Sequence, residues 1–469
     1  MRAVLGLAAV AALAVLPGCD PARSTVDRPE DPVVLTGSAL PRLRGRAPQR
    51  IVAFRYASGA WAQVPVQVDE RAVVDFGVPP SSTPGPGTVG TVYGTSASGV
   101  TALQYTDAGT FTGADRDASF DSDDELVFMS SDLGGLAPDG EPAGVQPGSG
   151  VEVTVTDPLV KDSAGWLYLF ESTGALVPSA GRSYVSYDFR LLSGDYRTTY
   201  RRGDGPNPEN SAVSTSRYSH HFSDRWLDDQ LVVRAGSSSA VDVLDRHKNL
   251  FAPDQCGRSE DTFNDAEGAF VVNKAGPVRA IRSYVGANSG PRTQRTHFFY
   301  AGRHDIATDL RVHAIPSVMD FFDYSPAASG MRYANDRNRN GVVVDGQPDS
   351  VAAGRLSWEL LTGAQGSVIH TQRLQTNVAA LQEPEAVSSY YLDDATPSVV
   401  QCTGDATAYG SSGPWVVRGI PDTDPASGTT NVVRALRSTT YRPPGVTNGD
   451  ADLAWQRIAF GLAATTRDR

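Results

Sequence analysis

Residues 275–316 read "AGPVRAIRSYVGANSGPRTQRTHFFYAGRHDIATDLRVHAIP" and decide the fold class. Apolar and polar residues alternate over short runs, and glycine- or proline-bearing turns separate these runs, which is the pattern of consecutive antiparallel strands. We therefore expect three or four strands here, with one apolar sheet face and one basic and aromatic face. The second face is predicted to hold Arg279, Arg282, Tyr284, His297, Tyr300, Arg311 and His313.

The same alternation recurs in "RIVAFRY" (50–56), "VEVTVTD" (151–157) and "WLYLFES" (166–172). The chain also contains 46 glycines and 31 prolines, which keep the runs between turns short. Helical periodicity is scarce, and its best example is "DADLAWQRIAFGLAATT" (450–466). The sequence therefore predicts a mostly β protein with few helices.

A stretch rich in turn-forming residues, 136–150, has no strand character and is predicted to be a linker. The segment before it, 33–135, is then an N-terminal β-domain that ends in an acidic loop. The segment after it, 151–469, is predicted to form a larger antiparallel β-sandwich. A chain of 469 residues is long enough for two such domains with separate cores.

The N-terminus combines one basic residue with an apolar run that is too short to span a membrane, so residues 1–18 are predicted to be a signal peptide. "LPGC" (16–19) resembles the lipobox of bacterial lipoproteins, although Pro17 departs from the small residue usual there. The resemblance implies cleavage before Cys19 and a diacylglycerol on its thiol. The alternative is an ordinary signal peptide followed by an incidental cysteine.

Residues 19–32 would then be the lipidated cysteine and a flexible polar tether. The predicted location is extracytoplasmic, in the periplasm or on the cell surface, with the lipid as the contact to the membrane. Of three cysteines, Cys256 and Cys402 remain, and in an oxidising compartment we expect them to form a disulfide. The alternative is two buried free thiols.

The net charge of −12 is spread along the chain, and no basic stripe occurs. This distribution argues against nucleic acid as a partner.

The acidic loop reads "ADRDASFDSDDE" (114–125). Oxygen ligands at alternate positions of a curled loop converge on one point, which is what calcium requires, although Phe120 stands where an EF-hand has glycine. The alternative is a solvated acidic turn. The predicted calcium ligands are Asp115, Asp117, Ser119, Asp121, Asp123 and Glu125.

A second loop, "DRNRNGVVVDG" (336–346), places Asp336, Asn338 and Asn340 at alternate positions before Gly341. With Asp345 these residues form a second candidate calcium site. A hairpin turn rich in asparagine and glycine explains the same residues equally well.

The sequence contains no G-x-S-x-G, H-E-x-x-H or P-loop motif. A face of arginine, histidine and tyrosine suits an anionic or hydroxylated ligand, because arginine pairs with carboxylates and aromatic rings stack on sugars. The alternative is that these side chains point to solvent or form cross-strand pairs.

"GPVRAIRSYVG" and "HDIATDLRVHAIP" resemble strands of the large β-sandwich shared by galactose mutarotase-like domains and many polysaccharide lyases. With "VPVQVDE", "DDELVFM" and "FFDYSPAASGM", the chain is also similar to secreted bacterial proteins of unknown function. The sandwich resemblance implies recognition of a polysaccharide or other glycan, or lyase or epimerase chemistry on one, and leaves open whether the protein is an enzyme.

In a lyase, Arg282 or Arg295 would neutralise a uronate carboxylate, and His297 or Tyr284 would abstract the α-proton. The competing hypothesis is a non-enzymatic envelope or adhesion protein with structural calcium. A concave pocket that clusters these residue types favours the first hypothesis, and a flat face with scattered residues favours the second.

Overall fold

A computed structural model describes residues 23–75, 101–106, 112–192, 209–223, 227–252, 268–286, 293–396 and 407–469. The predicted signal peptide, the lipidation at Cys19 and the disulfide between Cys256 and Cys402 lie outside these residues and stay predictions.

Strands dominate the described residues, which confirms the mostly β class. In chain order they are β1 (Pro32–Thr36), β2 (Ile51–Ala57), β3 (Ala60–Val64), β4 (Gln67–Asp69), β5 (Arg71–Asp75), β6 (Thr101–Tyr105), β7 (Glu125–Met129), β8 (Val151–Thr156), β9 (Gly165–Glu171), β10 (Val185–Asp188), β11 (Ser211–Thr215), β12 (Tyr218–Ser223), β13 (Leu227–Val233), β14 (Leu244–Phe251), β15 (Gly268–Lys274), β16 (Ala280–Gly286), β17 (Thr293–Phe299), β18 (Arg303–Leu310), β19 (Val318–Tyr324), β20 (Arg332–Asn335), β21 (Val342–Val343), β22 (Trp358–Gly363), β23 (Gly366–Thr376), β24 (Val387–Asp394), β25 (Ala408–Val416), β26 (Val433–Arg442) and β27 (Ala463–Asp468).

Two large antiparallel sheets form a sandwich. One has the strand order β10-β11-β12-β13-β14-β19-β25-β24, and the other β15-β16-β17-β18-β26-β23-β22-β20-β21. Apolar side chains from both sheets meet in one core, including Phe222 and Leu231 from the first sheet and Phe299, Val368 and Tyr441 from the second. The predicted strands of 275–316 are β16, β17 and β18, paired in sequence order.

Both faces of these three strands are covered, so the basic and aromatic face is not a solvent-facing surface. Arg282 and His297 face the core of the sandwich and are 0% and 2% exposed. Arg279, predicted on the same face, instead pairs with Asp69 and Glu125 of the N-terminal strands. Alternation along the chain predicted these strands correctly, but it could not indicate that a second layer covers each face.

A five-stranded sheet, β27-β8-β9-β2-β3, and a three-stranded sheet, β1-β7-β4, form the N-terminal body. Strand β9 pairs with β2 on one side and with β8 on the other, and the C-terminal strand β27 pairs with β8. The predicted linker 136–150 therefore lies within this body and does not separate it from the sandwich. The physical reason is core sharing, since Val153 and Leu167 are buried in one cluster with Val33, Ile51 and Phe128.

The described part of the predicted tether, residues 23–32, is packed rather than free. Arg28 is 1% exposed, and its guanidinium donates to the backbone carbonyls of Phe460 and Arg457. It also pairs with Asp31 and Asp157. Polar side chains can be buried when they find such partners, and all of these partners except Asp31 are far away in sequence.

The predicted C-terminal helix is present but shorter than the predicted segment 450–466, whose residues from Ala463 onward belong to β27. The described helices are α1 (Ala379–Gln382) and α2 (Asn448–Ala459), with short 3-10 turns at Gly37–Ala39, Pro48–Arg50, Ser130–Asp132, Pro326–Ala328, Pro384–Ala386 and Pro425–Ser427. Thr447 caps α2 through a reciprocal pair of hydrogen bonds with Asp450, and the helix ends before Gly461. None of the helices in the described ranges has the length and apolar character needed to cross a membrane.

Candidate functional site

A row of four polar side chains and one isoleucine crosses the inner face of the nine-stranded sheet. Arg282 is the cross-strand partner of His297, and His297 is the partner of Ile306. Ile306 is paired in turn with Arg437, and Arg437 with Gln372. Cross-strand partners share a sheet face, so β16, β17, β18, β26 and β23 together present these five side chains to the opposing sheet.

A parallel row lies beside it and is formed by His304, Thr439, His370 and Glu359. Each of these four residues is at most 1% exposed. The His370 ring reaches across the interior to the Tyr324 hydroxyl of the other sheet, with 2.8 Å between Nε2 and Oη. The interior of the sandwich is therefore partly polar, and hydrogen bonds join its two sheets.

The opposing sheet contributes alternating carboxylates and imidazoles. Asp320 Oδ1 lies 2.8 Å from His247 Nε2, and His247 Nδ1 lies 3.7 Å from Asp228 Oδ2. Asp228 Oδ1 then lies 2.9 Å from His220 Nδ1, and His220 Nε2 lies 2.7 Å from the Tyr441 hydroxyl. Burial raises the pKa of Asp228, but the two histidines outweigh burial and hold it below its ordinary value.

Asp320 is the point where this chain of side chains meets two arginines. Arg295 Nη2 donates to Asp320 Oδ1 at 2.8 Å, and Arg437 Nη1 lies 3.4 Å from Asp320 Oδ2. Burial would raise the pKa of Asp320, but the two guanidinium groups and His247 hold it well below its usual range. Asp320 therefore stays ionised and is a weak base.

A cavity of about 510 Å³ opens between the two sheets at this point. Asn249 and Asp320 from one sheet and Gln372 and Arg437 from the other form its polar base. Its volume falls within the range of small-molecule sites. Its remaining lining is mainly apolar and includes Leu310, Val318, Leu374, Val387, Val416 and Trp455.

Two side chains at the base have unused hydrogen-bonding capacity. Within the described residues, neither the amide nitrogen nor the amide oxygen of Gln372 has a hydrogen-bond partner, and both atoms are buried. The same holds for the three guanidinium nitrogens of Arg437, whose ion pairs with Asp320 and Glu359 are long, at 3.4 and 3.6 Å. A buried polar group without partners is costly, so such groups at a cavity favour a bound water, ion or ligand.

The residues predicted to be catalytic are buried, and none of the four lines this cavity. Arg282 forms a two-pronged pair with Glu209, and both side chains are 0% exposed. His297 Nδ1 lies 3.0 Å from His304 Nε2, and burial together with His304 lowers its pKa well below the ordinary value. Tyr284 is 4% exposed, and Arg295 is 1% exposed and donates a hydrogen bond to Asp320, which lines the cavity.

Residues 115–124 form a series of tight turns. The side chain of Asp115 accepts a hydrogen bond from the Asp117 amide, and Asp117 accepts from the Ser119 amide, both at 3.1 Å. Further along, carboxylate oxygens of Asp121, Asp123 and Asp124 all lie within 4.8 Å of one another. The hydrogen bond to Asp121, with burial, raises the pKa of Asp123 to about 6.

Glu125, predicted as a calcium ligand, is held by other partners. Its two carboxylate oxygens lie 2.8 Å from Arg71 Nη1 and 2.6 Å from Arg279 Nη2. The Tyr105 hydroxyl also donates to it at 2.8 Å. Asp124, which the sequence analysis did not include, takes the place beside Asp121 and Asp123 instead.

The second predicted calcium loop connects β20 and β21, which pair as an antiparallel hairpin. Asp336 accepts from the Ser357 amide, Asn338 accepts from the Ala352 amide, and Asp345 accepts from the Gln347 amide. Arg332 binds the Asn340 carbonyl. The side-chain oxygens of three of these residues thus accept hydrogen bonds from backbone amides.

Sequence reasoning missed the polar base of the cavity, Asp320, Gln372 and Arg437, and the neighbouring His247 and Glu359. The available signal was their alternation with apolar residues, as for Asp320 in "SVMDFFDYS" (317–325). A polar residue at an alternating position of a half-buried strand reads equally well as solvent-facing, so the pattern alone could not single these residues out.

No protein-family model matches the chain, and no curated protein matches it. Among solved structures, the chain is similar to that of a putative aldose 1-epimerase from Escherichia coli K12, with 9% sequence identity. The alignment covers 55% of this chain and 100% of that chain, with a TM-score of 0.24. A TM-score of this size does not establish a shared fold, so the mostly β class rests on the strands themselves.

Proposed function

We propose that the protein binds a carbohydrate in the cavity between the two sheets of the sandwich. The observation that carries this proposal is the combination of unused hydrogen-bonding groups on Arg437 and Gln372 with an apolar wall that includes the Trp455 indole. Sugars present hydroxyl groups that can bond to the polar side chains and C–H faces that can pack on the apolar wall.

Recognition is better supported than lyase or epimerase chemistry. Proton abstraction requires a base whose pKa lies near the working pH, and Asp320 is the acidic residue among those that line the cavity. Its pKa is held well below that range. His297 and Tyr284, the bases that a lyase would use, are buried and do not line the cavity.

A blocking variant tests the proposal. Ala435 lines the cavity, so Ala435→Phe should fill part of the cavity without removing any polar group. A glycan array followed by calorimetric titration of the best glycan should show binding to the wild type and at least about a tenfold loss in this variant. Ala60→Phe on β3, at an exposed site in the N-terminal body, is the matched control. Glycan binding that is the same in all three proteins would refute this site.

The second candidate is an envelope protein with structural calcium, and the grouping of Asp121, Asp123 and Asp124 favours it. Three carboxylates this close repel one another unless a cation or a proton lies between them. Calcium at a hundredfold excess over its dissociation constant should stabilise the fold by about 2.7 kcal/mol.

Thermal melting with calcium or a chelator tests this candidate. Asp121→Asn with Asp123→Asn should abolish the calcium response. Asp115→Asn with Asp117→Asn is the control, because these two carboxylates lie outside the group formed by Asp121, Asp123 and Asp124. A wild-type protein that melts identically in calcium and in chelator would contradict calcium binding.

Both candidate functions include attachment to a membrane. We propose that Cys19 carries the lipid and holds the protein in the periplasm or on the cell surface, with the apolar run before "LPGC" as its support. Cys19→Ser should move the protein from the membrane fraction to the soluble fraction. A processed variant that still sediments with membranes would contradict the lipid anchor.

A further inference from the structure

Positive charges predominate around the cavity. Three arginines line it, Arg355, Arg373 and Arg437, against a single acidic residue, Asp320. Arg355 and Arg373 are exposed, whereas Arg437 is 3% exposed at the base. This local excess of positive charge contrasts with the net charge of −12 of the whole chain. A cavity lined in this way attracts anions and concentrates them at its entrance.

At the base, the carboxylates near Arg437 do not saturate it. Asp320 is shared with Arg295, which holds it at 2.8 Å, while Arg437 stays 3.4 Å away. Glu359 lies 3.6 Å from Arg437, and burial raises the pKa of Glu359, which weakens its ability to neutralise the guanidinium. The N–H groups of Arg437 therefore retain donor capacity for an additional acceptor.

Gln372 lies directly beside Arg437, since the two residues are cross-strand partners on β23 and β26. Its amide offers one donor group and one acceptor, and both are without a hydrogen-bond partner in the described part of the chain. A ligand that satisfied Arg437 and both ends of this amide would have to present an acceptor and a hydroxyl donor next to each other.

From this arrangement we infer that the bound group is a hydroxylated carboxylate, as in a uronic acid, with its carboxylate on Arg437 and the Gln372 NH₂ and a neighbouring hydroxyl on Gln372 Oε1. The inference rests on the proposed carbohydrate site and specifies the class of sugar that it takes. The apolar wall faces the remainder of the sugar.

Matched probes test the inference. Calorimetric titration with D-glucuronate, D-galacturonate, D-glucose and D-galactose compares each acid with its neutral counterpart. We expect each acid to bind at least about tenfold more tightly, because hydrogen bonds to a charged group contribute more than neutral ones. DL-lactate, a hydroxy acid that is not a sugar, is the fifth probe.

Two variants separate binding from folding. Gln372→Leu removes an amide without partners, so it should leave the melting temperature unchanged or higher and still weaken uronate binding about tenfold. Gln375→Leu, at an exposed position on the same strand, is its control. Arg437→Lys keeps the charge but loses the planar fork, so it should weaken the binding of uronates more than the binding of neutral sugars.

The outcomes are distinct. Equal binding of acids and neutral sugars would overturn the inference and leave the proposed carbohydrate site standing. Binding of lactate as tightly as of the uronates, with no binding of neutral sugars, would support the anion site and overturn the carbohydrate function. Failure of every acid to bind, or uronate binding that Gln372→Leu does not change, would overturn the inference.

Discussion

Replacing Arg282 by methionine tests whether this buried guanidinium holds the sandwich together or serves a ligand. Arg282 and Glu209 are both 0% exposed and form a two-pronged ion pair. Burial lowers the pKa of Arg282, but the Glu209 carboxylate outweighs burial and raises the pKa above its ordinary value. The guanidinium also stacks on Phe222 and Phe270, with its carbon 4.2 and 4.9 Å from the ring centroids.

Removing one partner of a buried ion pair leaves the other charge uncompensated and costs about 3–5 kcal/mol. For a domain of this size, each kcal/mol lowers the melting temperature by about 2–4 °C, so Arg282→Met should lower it by roughly 6–20 °C. Arg282→Met combined with Glu209→Leu should recover most of that loss, because apolar replacement of both partners is often neutral or stabilising.

Calorimetry of the single and double variants measures this effect. Arg339→Met is the control, because Arg339 and Asp452 form an exposed pair in which the side chains are 47% and 39% accessible. That change should cost no more than about 1 kcal/mol. If Arg282→Met melted within 2 °C of the wild type and lost glycan binding, Arg282 would be a ligand-binding residue and the structural reasoning would be refuted.

Three further predictions concern other parts of the molecule. The folded pKa of Asp123, about 6, exceeds its unfolded value, so in chelator the contribution of Asp123 to stability should be present at low pH and lost as pH rises through 6. Asp123→Asn should remove this pH dependence from urea midpoints measured between pH 4 and 7. Thr447→Ala should destabilise the fold by about 1 kcal/mol through loss of the α2 cap. Leu169→Ala, in the core of the N-terminal body, should cost about 2–5 kcal/mol in chemical denaturation, whereas Leu453→Ala, 39% exposed, should cost much less.

Properties that depend only on neighbouring residues along the chain could be predicted from the sequence. Alternation in 275–316 predicted the strands β16, β17 and β18, and the periodicity of 450–466 predicted α2. Both patterns arise from local geometry, because side chains alternate along a strand and repeat every 3.6 residues along a helix. The mostly β class follows from the same local signals.

Properties that depend on distant partners could not be predicted in this way. Arg28 is buried because it meets carbonyl groups more than 400 residues away, at Arg457 and Phe460. Glu125 has the composition of a calcium ligand, but Arg71 and Arg279 reach it from other strands. The cavity itself exists only where two sheets meet, so no single segment contains its pattern.

The buried polar groups of the sandwich form a chain of contacts that ends at the cavity. A purely apolar interior would avoid the desolvation of His220, Asp228 and His247. Yet each of these side chains is hydrogen-bonded or ion-paired to the next one in space. The chain of contacts runs from Tyr441 to Asp320, which lies at the cavity base. Each member restricts the orientation of the next, so the carboxylate of Asp320 is fixed before any ligand arrives. Groups whose orientation is already fixed lose little conformational freedom when a ligand binds. This preorganisation of the cavity offsets the free-energy cost of desolvating the buried network.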